Sequence, residues 1–234
     1  VASGLSWDAT WSDQWATQVG VNTSRLDYTS TLPDTYVTSG HGLTISAQKK
    51  FELGLLSLGL ERKLDRLDAA SDIYNSVAIA QTRSQNGSSL AWASKVRNLS
   101  FKLGTRYDDD EKFGGQSSSN IAASVQITPH VDISVGLATA FRAPSIEQTT
   151  GSYGASTMSP EESISKDIKL AYESGSDAIQ MVVFRSDYTS MISTSGTSCS
   201  YGSFCYENIS SAKVEGLTFS GKTMVGVASI SGSV

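Results

Sequence analysis

From Leu99 to Phe141 the chain changes sides at almost every residue. Leu99, Phe101, Leu103 and Tyr107 stand against Ser100, Lys102, Gly104 and Arg106, and Ile121, Ala123, Val125 and Ile127 repeat the pattern. Val131, Ile133, Val135, Leu137 and Phe141 then oppose Asp132, Ser134, Gly136, Ala138 and Ala140. A period of two marks β-strands with one apolar face, because successive side chains point to opposite sides. The same alternation runs through Leu5, Trp7, Ala9 and Trp11, through Leu43, Ile45 and Ala47, through Leu56, Leu58 and Leu60, and through Ile168, Leu170 and Tyr172. About 12 strands of ordinary length are expected.

The connections carry as much information. Short ones at 12–14, 51–54, 97–98, 128–130, 174–177 and 221–226 alternate with long ones at 28–40, 62–80, 108–116, 143–160 and 194–204. Short turns at one end and long loops at the other are the pattern of a membrane barrel, whereas a soluble sandwich mixes its connection lengths. The expected fold is therefore all-β, an antiparallel up-and-down transmembrane β-barrel. The face opposite the apolar rows carries Lys102, Arg106, Gln126, Asp132, Asp167 and Lys169. That is too much charge for a dry core, but a wet or plugged lumen accepts it. The apolar faces must then meet lipid, where only a closed sheet gives every backbone group a partner. The mean hydropathy of −0.16 agrees: no apolar run approaches the ~18 residues of a spanning helix, and alternating strands average near zero. The net charge of −5 argues against a nucleic-acid surface.

Two stretches stay ambiguous. In 62–80, Leu64, Leu67 and Ile73 fit a strand running into a long loop, with a short loop helix as the rival. In 178–192, Ile179, Met181 and Val183 compete with Val182, Phe184 and Tyr188 for the apolar face, which a bulge or a two-sided environment explains.

Several motifs invite chemistry that their surroundings do not support. Gly216–Thr223 matches the phosphate-loop pattern GxxxxGK[ST]. The segment after Thr223 reads as strand, so the helix N-terminus that would meet a phosphate is missing. Cys199 and Cys205 flank a short loop; a disulfide is expected in an oxidising compartment, and free thiols are the alternative. His41 and His130 lack ligand spacing, so no metal site is assigned. The acids Asp108 to Glu111 lack the spacing and central Gly of a calcium loop, and read as a solvated loop tip. No nucleophile, base and orienter come together, and no GxSxG elbow is present, so the chain is read as a non-enzyme without a cofactor.

The stretch that begins at Val131 contains the phrase ATAFRAPSIEQ, followed at 159–163 by SPEES. This resembles the hallmark of TonB-dependent outer-membrane receptors: a strand, FRAP, a loop and a PE motif. The resemblance extends to Phe101–Asp110, to the paired strands within 163–190, and to Tyr206-Glu207-Asn208 with Lys213-Val214-Glu215-Gly216. It is closer over 98–220 than over 1–97, and within the family the spacing most resembles vitamin B12 receptors.

The resemblance implies a bacterial outer-membrane transporter that captures a scarce ligand, a corrinoid or a siderophore-type metal chelate, and passes it inward after TonB remodels a plug. Tyr107, Asp108, Asp109, Asp110 and Tyr153 become candidates for ligand contact, on loop length and Tyr/Asp content. Phe141, Arg142, Ala143 and Pro144, with Pro160 and Glu161, read as architectural, Arg and Glu tying the loop base. The acidic calcium loops of B12 receptors are not carried over, because Tyr28–Thr38 holds only Asp34. About 12 strands are half of the ~22 in such a transporter. Residues 1–234 are accordingly expected to be a barrel segment of a longer receptor, without its plug domain. A smaller passive porin-like channel and a soluble β-rich binding module are the alternatives.

Overall fold

Every hairpin expected from the alternation joins its neighbour in a single sheet. The computed structural model describes residues 1–29, 35–70, 78–197, 199 and 202–234. They form a 12-stranded antiparallel sheet whose strands lie in chain order. The strands are β1 (Ala2–Ser12), β2 (Trp15–Thr29), β3 (Thr35–Phe51), β4 (Gly54–Ala69), β5 (Ile79–Val96), β6 (Leu99–Asp110), β7 (Gly114–Thr128), β8 (Val131–Arg142), β9 (Glu161–Ser174), β10 (Asp177–Gly196), β11 (Cys205–Val225) and β12 (Ala228–Ser233). One short helix, α1 (Ile146–Thr150), lies between β8 and β9. Among the described residues β1 and β12 pair only with β2 and β11, so the sheet is open at those two edges.

The register sorts side chains by face, since directly paired residues share a side. Trp7, Val19, Ile45 and Leu60 form one continuous outer row. Leu103, Ile121 and Leu137 form another, and Val135, Ile168, Val183 and Leu217 a third. These side chains stay open, with Leu60 58% and Leu217 60% exposed. A sheet-wide apolar surface of this kind is a lipid-facing band. Its two borders are visible. At the short-turn end the Trp7 and Trp11 rings meet edge-on at 6.0 Å, Phe51 and Trp92 lie 5.8 Å apart, and His130 and Tyr172 6.2 Å. Aromatic girdles of this kind mark a membrane–water interface. At the other end the outer face turns to ion pairs, Arg25–Asp27 at 2.9 Å, Arg66–Asp68 at 2.7 Å and Arg185–Asp187 at 2.8 Å.

The inner face is polar and dips at three glycines. Gly42, Gly104 and Gly136 each lie beneath a polar side chain of the adjoining strand (Asn22, Asn120 and Asp167), which a Cβ at the glycine would strike. Only a residue without a side chain lets those groups lie down along the sheet. The buried core is small, comprising Leu67, Ala69 and Ile79 with Tyr36 and Ile146 against them.

The strands run further toward the long-loop end than the sequence suggests. β2 reaches Thr29 and β3 starts at Thr35, which shrinks the 28–40 loop; Pro33 and Asp34 lie outside the described residues. Strand continues through Ala69, so over 62–69 the helical rival loses; Ile73 lies outside the described residues. β11 continues to Val225, leaving a tighter turn than 221–226. The 108–116 stretch is not a loop: β6 ends at Asp110 and β7 begins at Gly114. Pairing with Gly114, Gly115 and Gln116 carries the acids into the sheet. β10 pairs with β9 without slip from Asp177 to Thr189, so the mixed pattern there reflects two-sided packing. Phe184 faces inward over Gly216, where a Cβ would come within 3.0 Å of its ring. Gly216–Thr223 lies wholly within β11 and no helix follows.

Candidate functional site

Alternation divides the acidic run between the two faces. Tyr107 and Asp109 share the outer face with Leu43, Ile45 and Leu60 and line a surface groove there. Tyr107 leans over Gly115, the residue paired with Asp109. These two are therefore not on the lumen side, and the solvated-tip reading fails for Asp108 and Asp110, each 3% exposed.

Each of those inward acids is held by an arginine. Arg106 donates through Nε to both Asp108 oxygens at 2.8 and 3.0 Å, and through Nη2 to Glu61 at 2.8 Å. Gly87 leaves room for that guanidinium, since a Cβ there would collide with it. Asp110 Oδ1 accepts from the Lys112 and Phe113 amides at 2.9 and 3.1 Å, shaping the tight turn between β6 and β7. Its Oδ2 faces Arg83 Nε at 3.4 Å, and the Asp110 side chain is 1% exposed. Arg83 donates onward to the Pro144 carbonyl and lies over the Phe113 ring. Pro144 is fully buried. One arginine thus connects β5, the end of β6 and the FRAP segment.

The stretch after Pro144 folds back over the inner wall. Ser145 caps α1: its side chain accepts from the Gln148 amide at 3.1 Å, while the Gln148 side chain accepts from the Ser145 amide at 2.9 Å. Reciprocal capping of this kind defines a helix start even in five residues. Ile146 then packs on Leu67, Ala69 and Ile79. At the loop base Arg142 meets Glu161 at 3.3 Å, and Glu161 also accepts from the Ile192 amide at 2.9 Å. Phe141 points to the outer face, paired with Glu162. Ala143 and Pro160 are half-buried.

Asn208 stitches the far side of the loop. Its Oδ1 accepts from the Ser159 amide at 2.8 Å, and its Nδ2 donates to the Ser159 and Ser190 carbonyls at 3.0 and 2.6 Å. The Tyr206 amide donates to the Tyr153 carbonyl at 2.7 Å. Cys199 and Cys205 are joined in a disulfide with a Cα–Cα distance of 5.6 Å, and Cys205 is buried. Tyr153, within the 143–160 loop, is therefore seated against the start of β11.

The electrostatics of the β6–β7 turn follow from these contacts. Glu111 accepts from the Ser84 amide and hydroxyl, both at 3.0 Å, and those bonds hold its carboxyl below the usual range. Burial, reinforced by the charge of Arg83, pulls Lys112 down, with Asp110 opposing. Among the described residues no group of three or more His, Cys, Asp or Glu side chains is placed to hold a metal ion.

Arg83, Glu61 and Asn208 do not stand out in the sequence. Face parity offers a signal for the first two: Asp65 and Glu61 on β4 pair with Arg83 and Gly87 on β5, while Gly87 pairs with Asp108. Asn208 sits in the Tyr-Glu-Asn element, but its partners are loop carbonyls that no periodicity predicts.

The FRAP strand, its inward-folded loop and the later Asn208 tie set the chain beside a known family, and the description "TonB dependent receptor-like, beta-barrel" matches residues 2–231. The chain belongs to that family. As such it is an outer-membrane receptor-type β-barrel chain rather than an enzyme. An iron-regulated outer membrane virulence protein of Vibrio cholerae is 26% identical over 151 residues, covering 59% of this chain and 23% of that protein. The vitamin B12 transporter BtuB of the same organism is 32% identical over 66 residues, covering 28% of this chain and 11% of the transporter. In fold, the chain resembles the siderophore receptor PirA from Pseudomonas aeruginosa, with a TM-score of 0.76 at 17% identity, covering 100% of this chain and 47% of that one. The chain thus spans about half the length of that solved receptor and under a quarter of each of the two curated relatives is aligned.

Proposed function

We propose that this chain is wall and loop of an outer-membrane receptor that captures a metal chelate of the siderophore type and imports it with TonB-derived energy. A plug domain, supplied by a part of the receptor other than residues 1–234, fills the lumen and meets TonB. The observation that carries this reading is the 143–160 segment, turned inward and fastened at Pro144, Glu161 and Ser159. A loop fixed over the lumen mouth is suited to hold a ligand too large for a passive pore.

The chelate is favoured over a corrinoid because the longer alignment is with the iron-regulated protein, 151 residues against 66 for the B12 transporter. Of the sequence candidates, Tyr153 is the residue retained for ligand contact. Asp108 and Asp110 are committed to Arg106 and Arg83, while Tyr107 and Asp109 face outward.

The test is uptake by cells in which the gene encoding this chain is deleted and then restored. Import of radiolabelled ferric siderophores should fall on deletion and return with the wild-type gene, but not with a Tyr153→Ala variant made in normal amount. Retained siderophore uptake with loss of cobalamin uptake would reverse the choice of ligand. Loss of neither would refute the receptor role for chelates and corrinoids alike.

A further inference from the structure

The outer face holds an arrangement that neither the lumen nor the loops account for. β9 ends at Ser174 and β10 begins at Asp177, so Lys166 and Arg185 each stand at the ninth strand residue from that hairpin. Arg185 belongs to the Arg185–Asp187 ion pair that marks the border of the lipid band on the long-loop side, and Lys166 stands level with it.

The two are direct cross-strand partners. Like charges placed opposite one another destabilise a sheet. Arg185 has Asp187 at 2.8 Å, and Glu215 lies across from it on β11. Lys213 reaches only toward Glu215, at 3.9 Å. The Lys166 side chain has no ion pair within 4 Å among the described residues, and Asp187, which Arg185 already holds, is the acid diagonal to it. Beneath this pair runs an apolar groove lined by Ile121, Val135, Leu137, Ile168, Val183 and Leu217.

We propose that this groove is a binding site for a phosphate-bearing lipid of the outer leaflet. The phosphate sits between Lys166 and Arg185 and removes their mutual repulsion, and an acyl chain lies along Ile168, Val183 and Leu217. Charge chooses this occupant over a neutral lipid: Lys166, which no acid neutralises within ion-pair distance, stands beside Arg185 directly above aliphatic side chains. A second protein chain would need an acidic side chain at that same depth, and is the less economical occupant.

The experiment uses the full-length receptor carrying this chain, extracted from outer membranes in mild detergent. Diphosphoryl lipid A is titrated in, and bound lipid is counted by native mass spectrometry. The wild type should retain it, and the K166Q/R185Q double variant should bind about thirtyfold more weakly, each basic contact at a membrane surface being worth about fivefold. K166R should bind like the wild type. Heat-modifiable migration on gels reports whether the barrel is folded. If the double variant is not folded, K166Q alone removes the unpartnered charge, with an expected loss of about fivefold. Equal binding by the folded variants and the wild type would overturn the proposal. So would equal retention of dephosphorylated lipid A by the wild type.

Discussion

Replacing Arg83 by Met tests whether one side chain fixes the FRAP loop. The guanidinium is 16% exposed, and Met keeps most of its apolar volume while deleting the charge. Two groups lose their partner, the Asp110 carboxylate and the Pro144 carbonyl. Breaking a buried ion pair from one side costs about 3–5 kcal/mol, because the surviving charge remains buried. Asp110 still accepts two backbone amides, which places the expectation near the lower limit, about 3 kcal/mol. That energy opens the loop locally and does not unfold the sheet, whose hairpins keep their ladders. Hydrogen exchange is the assay. The Gly151 and Ala155 amides, bonded to the Glu147 and Gln148 carbonyls, should exchange about a hundredfold faster in R83M. Amides in the middle of β9 and β10 should keep their rates. Adding Asp110→Asn should recover part of the loss, because the orphaned charge is gone. Unchanged exchange at Gly151 and Ala155 in a folded R83M barrel would refute the anchoring role.

The lipid-facing band is tested by neighbours on one strand. Leu217→Arg should cost about 2–4 kcal/mol in refolding into lipid vesicles, whereas Thr218→Arg, on the lumen face, should cost close to nothing. Equal costs would mean that the faces are misassigned. Asn208→Ala removes three hydrogen bonds at the loop base and should lower loop stability by about 2 kcal/mol, read as faster limited proteolysis near Ser159. Glu111 has a folded pKa below its ordinary 4.5, so its contribution is present above that value and is lost as pH falls through the lower one. Urea midpoints between pH 5 and 3 should therefore drop more steeply for the wild type than for Glu111→Gln.

The fold was legible because lipid and lumen impose opposite chemistry on alternate residues: Leu103 and Ile121 against Lys102 and Asn120 leave one reading of the strand. What misled was local polarity. Three consecutive aspartates resemble a solvated tip, yet two turn inward onto arginines and one turns outward. The helix at 146–150 is too short to show a period of 3.6 and is defined by its capping box. Arg83 was invisible because its partners, Asp110 and Pro144, are distant in sequence and one of them is a backbone carbonyl. For Cys199 and Cys205 the sequence left two readings, a disulfide in an oxidising compartment or free thiols, and the structure joins them in a disulfide.

The glycines at 42, 104 and 136 lower the interior surface at three points, because each neighbouring amide or carboxylate lies down over the glycine backbone. A body occupying such a bore meets, at those three positions, backbone and flat-lying polar groups with no side chain to key into. It is gripped by many weak polar contacts spread over the wall, the kind of fit that permits a small rotation or slide without first breaking a strong one.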